Sequence, residues 1–302
     1  MNYRRRLHRA FRDAPCLPLY EHSRYFLISD CHRGTGSSND NFLKNQHLYK
    51  AALEYYYRHG YTCIELGDGD ELWENRSMQQ IIEVHSHIFR ILARFYHEGR
   101  FYSLYGNHDI VKKSPQAARW FAEDRSGPDP QPLFPEITFY SGLILRDAGE
   151  IKDLYLTHGH QTDFLNSTLW RCSRFLVRYL WGPAERLGFL DPTSAAKNNK
   201  RKRRTEEKLT QWALEEGRIL ITGHTHRPMI GTPQAPYCNT GSCVHPQGIT
   251  CIEVCRRCLT LVKWTLSTRP DQSLFVSREV LAEPVCIDEY ANKRQNGTKI
   301  GL

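Results

Sequence analysis

Three short apolar runs constrain the fold of this chain more than any other feature. "RYFLIS" at 24–29, "YTCIEL" at 61–66 and "RFYSLYG" at 100–106 each have the length of a strand and stop at a turn. Between them lie two stretches with helical periodicity. In "NFLKNQHLYKAALEYYYRHG" (41–60), Phe42, Leu43, Leu48, Ala52 and Tyr56 recur at helical spacings up to Gly60, and a second amphipathic stretch runs from Met78 to Tyr96. A β-α-β-α-β order predicts strands covered by helices. Downstream, "EITFYSGLILRD" and "IKDLYLTHGH" read as a strand pair turning at Ala148-Gly149, and Ile219 to Leu266 as further short strands. There is no internal repeat, and only "NKRQNGTKIGL" at the end looks loose.

Composition narrows the class. At 302 residues the chain can bury a sizeable core, and 40% apolar with 25% charged residues is an ordinary globular balance. No apolar run approaches the roughly 20 residues that span a bilayer. Arg4, Arg5 and Arg6 precede "LHRAFRDAPCLPLY", which holds no apolar core long enough for a secretory signal. Ten cysteines without such a signal point to reduced thiols and a cytoplasmic location rather than a disulfide framework. The net charge of +8 favours anionic partners (phosphorylated molecules, nucleic acid or anionic lipid surfaces) without choosing among them.

Candidate chemistry gathers where the strands end. The first run closes in Asp30-Cys31-His32, the second in Gly67-Asp68 and the third in Gly106-Asn107-His108-Asp109. Strand 151–157 closes in His158-Gly159-His160, and "GRILITGHTHRPMI" in His224-Thr225-His226, whose two imidazoles leave an extended segment on the same side. One such ending is turn chemistry or a helix cap. Five in succession predict a shared site, because C-terminal strand edges in strand-and-helix folds converge on one crevice. Oxygen and imidazole donors without thiolates make a hard-to-borderline metal site. There are ligands for two divalent ions: Asp30, His32 and His226 for one, Asn107, His158 and His224 for the other, with Asp68 bridging. Two such ions about 3.5–4 Å apart clamp a phosphoryl group and lower the pKa of a bridging water.

In this order the residues resemble the calcineurin-like metallophosphoesterase family, whose pattern is D-x-H, G-D, G-N-H-D/E, a lone H and G-H-x-H. Spacing agrees as well: 38 residues from Asp30 to Asp68, 39 to Asn107, 51 to His158 and 66 to His224. All seven ligand positions are filled, and the likeness covers roughly residues 22–266. It implies an α/β fold, a four-layer αββα sandwich with a helical insertion, and two metal ions at the strand ends, Mn2+ first and Fe or Zn as alternatives. The chain then divides into a basic N-terminal segment (1–21), the metallophosphoesterase domain (22–270) with a helical insertion or lid at about 162–216, and a C-terminal extension (271–302). The implied mechanism has a metal-bridging hydroxide attacking phosphorus, with Asp68 central and His108, the family's non-ligand histidine, as general acid. A common family version orients that histidine with an Asp three residues after the bridging one. Here that position is Glu71, beside Asp70, and the sequence leaves open which carboxylate acts, if either. Candidates to hold substrate are Arg33, Asn107, His160, Lys200 and Arg201.

The substrate itself is less legible. "FLNSTLWRCSRFLVRYLWG" (164–182) sets Leu165, Leu169, Leu176 and Leu180 on one side and Arg171, Arg174 and Arg178 in a stripe. It reads as a lid holding an acyl chain or resting on a membrane surface, or as a helix packed on the core, and the packed helix is favoured. "KNNKRKRRTEEKLTQWALEEG" (197–217) opens on five basic residues, Lys200 to Arg204, which form a solvated face or hold a diphosphate or nucleic acid backbone. The helical insertion, "GHTHRP" and "NTGS" are similar to the UDP-2,3-diacylglucosamine hydrolase branch, which cleaves a diphosphate in a lipid-linked nucleotide sugar. The chain departs from that branch at His108, where Arg is usual, and at His160, where Asp is usual. The expected substrate is a phosphorylated small molecule or lipid-linked molecule carrying a phosphodiester or diphosphate. Alternatives are a phosphomonoesterase or protein phosphatase, and a basic nucleic-acid- or membrane-binding protein with a structural metal site. Cys255 and Cys258 form the only C-x2-C pair, so a structural zinc or iron–sulfur cluster is the weaker reading of the cysteines.

Overall fold

Strand residues alternate between two apolar environments, and that alternation builds the fold. The computed structural model describes residues 2–37, 40–121, 123–125, 129, 131–181 and 199–291. Its elements begin with α1 (Tyr3–Arg12), β1 (Cys16–Leu19), β2 (Arg24–Ile28), α2 (Gln46–Arg58), β3 (Thr62–Leu66), α3 (Met78–Val84), α4 (Ser86–His97) and β4 (Phe101–Leu104). A small hairpin, β5 (Glu123–Asp124) with β6 (Gln131–Pro132), precedes β7 (Phe139–Tyr140), β8 (Gly142–Asp147) and β9 (Leu154–Thr157). The insertion contributes α5 (Phe164–Ser167), α6 (Trp170–Leu176) and α7 (Asn199–Glu216). The chain continues through β10 (Ile219–Thr222), β11 (Tyr237–Asn239), β12 (Ile249–Cys255), β13 (Cys258–Thr268), β14 (Leu274–Val280) and β15 (Val285–Cys286).

On β2, Tyr25 and Leu27 point into one apolar cluster while Phe26 and Ile28 point into another. The first cluster joins β2, β3 and β4 to the other sheet through Leu143, Leu145, Leu154, Leu156, Ile219 and Ile221. The second packs Phe26, Ile28 and Cys63 under Ala52, Leu53 and Tyr56 of α2 and Phe89 and Leu92 of α4. On the far side Leu7, Leu209, Trp212 and Ala213, from α1 and α7, cover Leu220 and Tyr237. Helices, sheet, sheet and helices therefore stack in four layers, the αββα sandwich that the resemblance implied. One sheet runs β1-β8-β9-β10-β11 and the other β14-β13-β12-β2-β3-β4-β7. Strands β2, β3 and β4 are mutually parallel, as are β9, β10 and β11, so the C-terminal ends of each set share an edge.

Several boundaries differ from the sequence reading. The described part of the basic N-terminal segment, residues 2–21, is not separate: α1 caps the second sheet face and β1 pairs with β8 in parallel. The C-terminal extension is tied in as well, because β14 pairs with β13 over seven residues from Leu274 to Val280. The expected single helix from Met78 to Tyr96 breaks at His85, whose buried imidazole lies 2.9 Å from Asp40 Oδ2. In the insertion, Ser173 and Val177 around α6 are buried and Leu169 and Leu176 are exposed, so among the described residues the leucines of the expected stripe do not pack on the core. Its anchor is Arg178, which donates to the carbonyls of Leu72, Trp73 and Asn75. Side chains of Leu165 and Leu180, and the tail 292–302, lie outside the described residues.

The cysteines depart in one place from the expected reduced state. Cys258 and Cys286 form a disulfide between β13 and β15, and the other eight are free. This takes Cys258 out of the C-x2-C pair. Among the described residues no helix is long and apolar enough to cross a membrane.

Candidate metal centre

Most candidate ligands leave their strands through a residue in the left-handed region. Asp30 (φ 53°), His32 (50°), Asp68 (50°), His224 (69°) and His226 (55°) all adopt it, a conformation that costs an L-residue roughly 1–2 kcal/mol. Strain of this kind persists where the surroundings over-determine it, and it clusters at functional sites. Glycines make the close approach possible. A Cβ at Gly106 would collide with Asp68 Oδ1, and one at Gly223 with Ser29 Oγ and Asp30 Oδ2.

Among the described residues three groups of possible ligand atoms result: one is His32 with Glu71 and His108, and the other two hold the expected ligands. Asp30, His32 and His226 converge in one, Asp68, His158 and His224 in the other. Asp30 divides its oxygens: Oδ2 accepts from Ser29 and from the His224 backbone N–H at 2.9 Å, while Oδ1 is left 3.0 Å from His226 Nε2 and 3.9 Å from His32 Nε2. Asp68 does the same. Its Oδ1 accepts from the His108 backbone N–H at 2.8 Å, and Oδ2 stands 3.1 Å from His158 Nε2 and 3.9 Å from His32 Nε2. One oxygen of Asp68 thus reaches into both sets.

The tautomers show what the site needs. Nδ1 of His158 lies 2.9 Å from the Leu66 carbonyl, which can only accept, so Nδ1 carries the proton and Nε2 offers a lone pair. A lone pair facing the Asp68 carboxylate at 3.1 Å needs a positive charge between them, a proton or a cation. Burial opposes a proton on His158, but Asp68 and Asp30 outweigh it and raise its pKa to about 9. His224 goes the other way, pushed down to about 4 by burial and by His158, so it stays a neutral donor. His32 Nε2, Asn107 Oδ1 and His224 Nε2 are buried without a hydrogen-bond partner, and Asp30 Oδ1 and His158 Nε2 are buried with an ion-pair partner facing them, His226 and Asp68 respectively. Buried polar atoms are rarely left so. Four of these belong to the two ligand sets, all oxygen or imidazole nitrogen, and they fit divalent cations such as Mn2+ or Zn2+.

Glu71 answers the question the sequence left open. Its Oε2 lies 2.7 Å from His108 Nδ1 and 2.9 Å from His32 Nδ1, while Oε1 accepts from the backbone of Trp73 and Glu74. Burial opposes the charge on Glu71, but His108 and His32 hold its pKa down at about 2. Burial likewise opposes charge on His108, and Glu71 with Asp68 overcomes it, raising that pKa to about 10. The Trp73 ring stacks on His108 at 4.4 Å between centroids. Nothing in the sequence marked Trp73 for this contact.

Asp70 serves elsewhere, and so does Arg33. Arg33 was expected to hold substrate, but it is 1% exposed: its guanidinium grips Glu65 through two nitrogens (2.7 and 3.0 Å) and Asp70 through Nε (2.8 Å). Lys112 extends the network to Asp70 at 2.7 Å and Asp109 at 2.6 Å. Asp109 in turn accepts from the backbone N–H groups of Asp68, Gly69 and Gly106. This buried lattice fixes the two loops that carry Asp68 and Asn107. A Glu inside the apolar run "YTCIEL" was its one visible trace.

The remaining substrate candidates lie in two places. His160 is buried with Nδ1 unpartnered, its ring 5.5 Å from His158, and burial holds its pKa well below the usual histidine range. Arg201 reaches Asp163 at 3.0 Å beside a cavity of about 340 Å³ that Arg6, Arg204 and Lys208 also line, and Lys200 is exposed.

No family model matches the chain, and no curated protein matches it either. Solved structures do. The cold-active protein-tyrosine phosphatase of a psychrophile, Shewanella sp., aligns at 14% identity and TM-score 0.42, covering 88% of this chain and 82% of that one. Vps29 of Chaetomium thermophilum aligns at 11% identity and TM-score 0.41, covering 87% and 97%.

Proposed function

We propose that this chain is a dinuclear metal-dependent phosphohydrolase of the calcineurin-like type, acting on a phosphodiester or diphosphate. The observation that carries the reading is Asp68 Oδ2, which stands 3.1 Å from His158 Nε2 of one ligand set and 3.9 Å from His32 Nε2 of the other. Asp30, His32 and His226 would hold one ion, Asn107, His158 and His224 the other, with Asp68 shared. Bound there, the two ions would supply Lewis-acid stabilisation of the phosphoryl oxygens and a more acidic water.

The chain's own groups do the rest. Glu71 hydrogen-bonds Nδ1 of His32 and faces Nδ1 of His108 as its ion-pair partner, so His32 keeps Nε2 for a ligand role and His108 would use Nε2 as a donor. As water adds to phosphorus and the P–O bond to the leaving group breaks, His108 Nε2 gives its proton to the leaving oxygen. Trp73 holds the ring of His108 from one face. A purely structural metal site needs no such histidine, and this favours the hydrolase over a binding protein. The UDP-2,3-diacylglucosamine hydrolase branch is one form of the proposal, with His108 and His160 as its departures.

Purified protein with Mn2+ should cleave bis-p-nitrophenyl phosphate. Asp68→Ala and His108→Ala should lose that activity while remaining folded by circular dichroism. Full activity in Asp68→Ala would remove the bridging role.

A further inference from the structure

Beside the proposed centre lies a concentration of positive charge that the catalytic residues do not use. A cavity of about 620 Å³ opens between the loop after β3, the start of α3, the turns at 110–121 and helix α6. Arg76, Arg119, Arg174 and Arg178 line it, drawn from three separate segments. Arg178 is committed to the backbone carbonyls of Leu72, Trp73 and Asn75. Arg76 donates to the Tyr179 hydroxyl at 2.7 Å, and Arg174 lies 5.2 Å from the Trp170 ring. Among the described residues no carboxylate pairs with Arg76, Arg119 or Arg174. Glu123 is the one acid on the wall among the described residues, and it pairs with Arg125 at 3.1 Å. Nε2 of Gln79, also on the wall, is buried with no acceptor.

Guanidinium groups gathered in a concave site repel one another unless an anion joins them, and their planar forks match phosphate oxygens. The position is equally informative. Arg178 grips the Trp73 carbonyl, and the Trp73 ring stacks on His108, so the cavity adjoins the side of the centre from which a proton would reach the leaving oxygen. We propose that this cavity binds a phosphate-bearing portion of the substrate beyond the scissile bond, on the leaving-group side. That assignment rests on the hydrolase reading for its orientation, but binding of the anion can be measured without it.

Tripolyphosphate titrated into metal-stripped protein by calorimetry should bind at one site per chain. Arg119→Gln/Arg174→Gln should weaken binding at least ten-fold, while Arg269→Gln, on an exposed turn at the other end of the sheet, should not. Absence of saturable binding, or equal binding in the double variant, overturns the anion site whatever the enzyme hydrolyses. In the Mn2+-loaded protein, the ratio of kcat/KM for diadenosine tetraphosphate over bis-p-nitrophenyl phosphate should fall at least ten-fold in the double variant. An unchanged ratio, with tripolyphosphate binding weakened, overturns the leaving-group placement.

Discussion

Glu71 and His108 meet at 2.7 Å between Oε2 and Nδ1, and the same oxygen stands 2.9 Å from Nδ1 of His32. One buried carboxylate therefore orients both a proposed metal ligand and the proposed proton donor. The chain uses a glutamate, with one more methylene than an aspartate, to span the two rings. Removing its charge should disturb proton transfer and ligand geometry together.

The first test is the pH dependence of Glu71→Gln. The pKa of His108 is raised, so its protonated form persists through neutral pH and is lost as pH climbs through about 10. Without the Glu71 charge that loss should come at lower pH. The alkaline limb of kcat should move down by at least one unit, and kcat at its optimum should fall on the order of 10–100-fold, as for other partners of metal-ligating histidines. An unmoved alkaline limb would detach Glu71 from the proton donor.

Arg33 offers a contrasting case. Replacing it with Ala leaves Glu65 and Asp70 buried without their main counter-charge, a loss of about 3–5 kcal/mol. Urea unfolding should show that loss, and KM in whatever variant protein remains folded should stay within two-fold of the parent. A raised KM with unchanged stability would restore Arg33 to the substrate site.

Metal loading should stabilise the fold because the ligand set is assembled only in the native state. Mn2+ at about 1,000 times its Kd would add about 4 kcal/mol per site by mass action. Thermal unfolding with and without chelator measures this directly. His224→Ala should keep part of the gain and Asp68→Ala little of it.

The disulfide makes a separable prediction. Cys258 and Cys286 are 28 residues apart, and closing a loop of that length contributes about 2–4 kcal/mol in the chain-entropy account. Cys255 pairs with Arg24 at the start of β2, whereas Asp30 follows its end, so the bridge lies at the opposite edge from the ligands. Dithiothreitol should lower the unfolding midpoint and leave Mn2+ affinity unchanged.

The parts of this structure that the sequence disclosed are those with short-range signatures. Strand length, helical spacing and the Asp, Asn and His endings of five runs are local, and they led to the layers and to the residues that now stand around Asp68. The parts it withheld depend on long-range packing. Arg33 follows His32 directly and reads as a substrate contact until Glu65, 32 positions away, is seen to neutralise it. Residues 1–21 look like a basic tail until Leu7 is found packed with Trp212 and Ala213. Leu169 and Leu176 resemble a core stripe, yet both are exposed, while Val177 is buried and Arg178 donates to the Trp73 carbonyl. The choice between Asp70 and Glu71 was undecidable from adjacency, because only the fold separates their partners.

The two-ion claim is tested most directly by titrating metal-stripped protein with Mn2+ and counting bound ions by electron paramagnetic resonance. The expectation is two Mn2+ per chain in a spin-coupled pair, with the coupling abolished in Asp68→Ala. A single uncoupled Mn2+, or a coupled pair that survives Asp68→Ala, would contradict it.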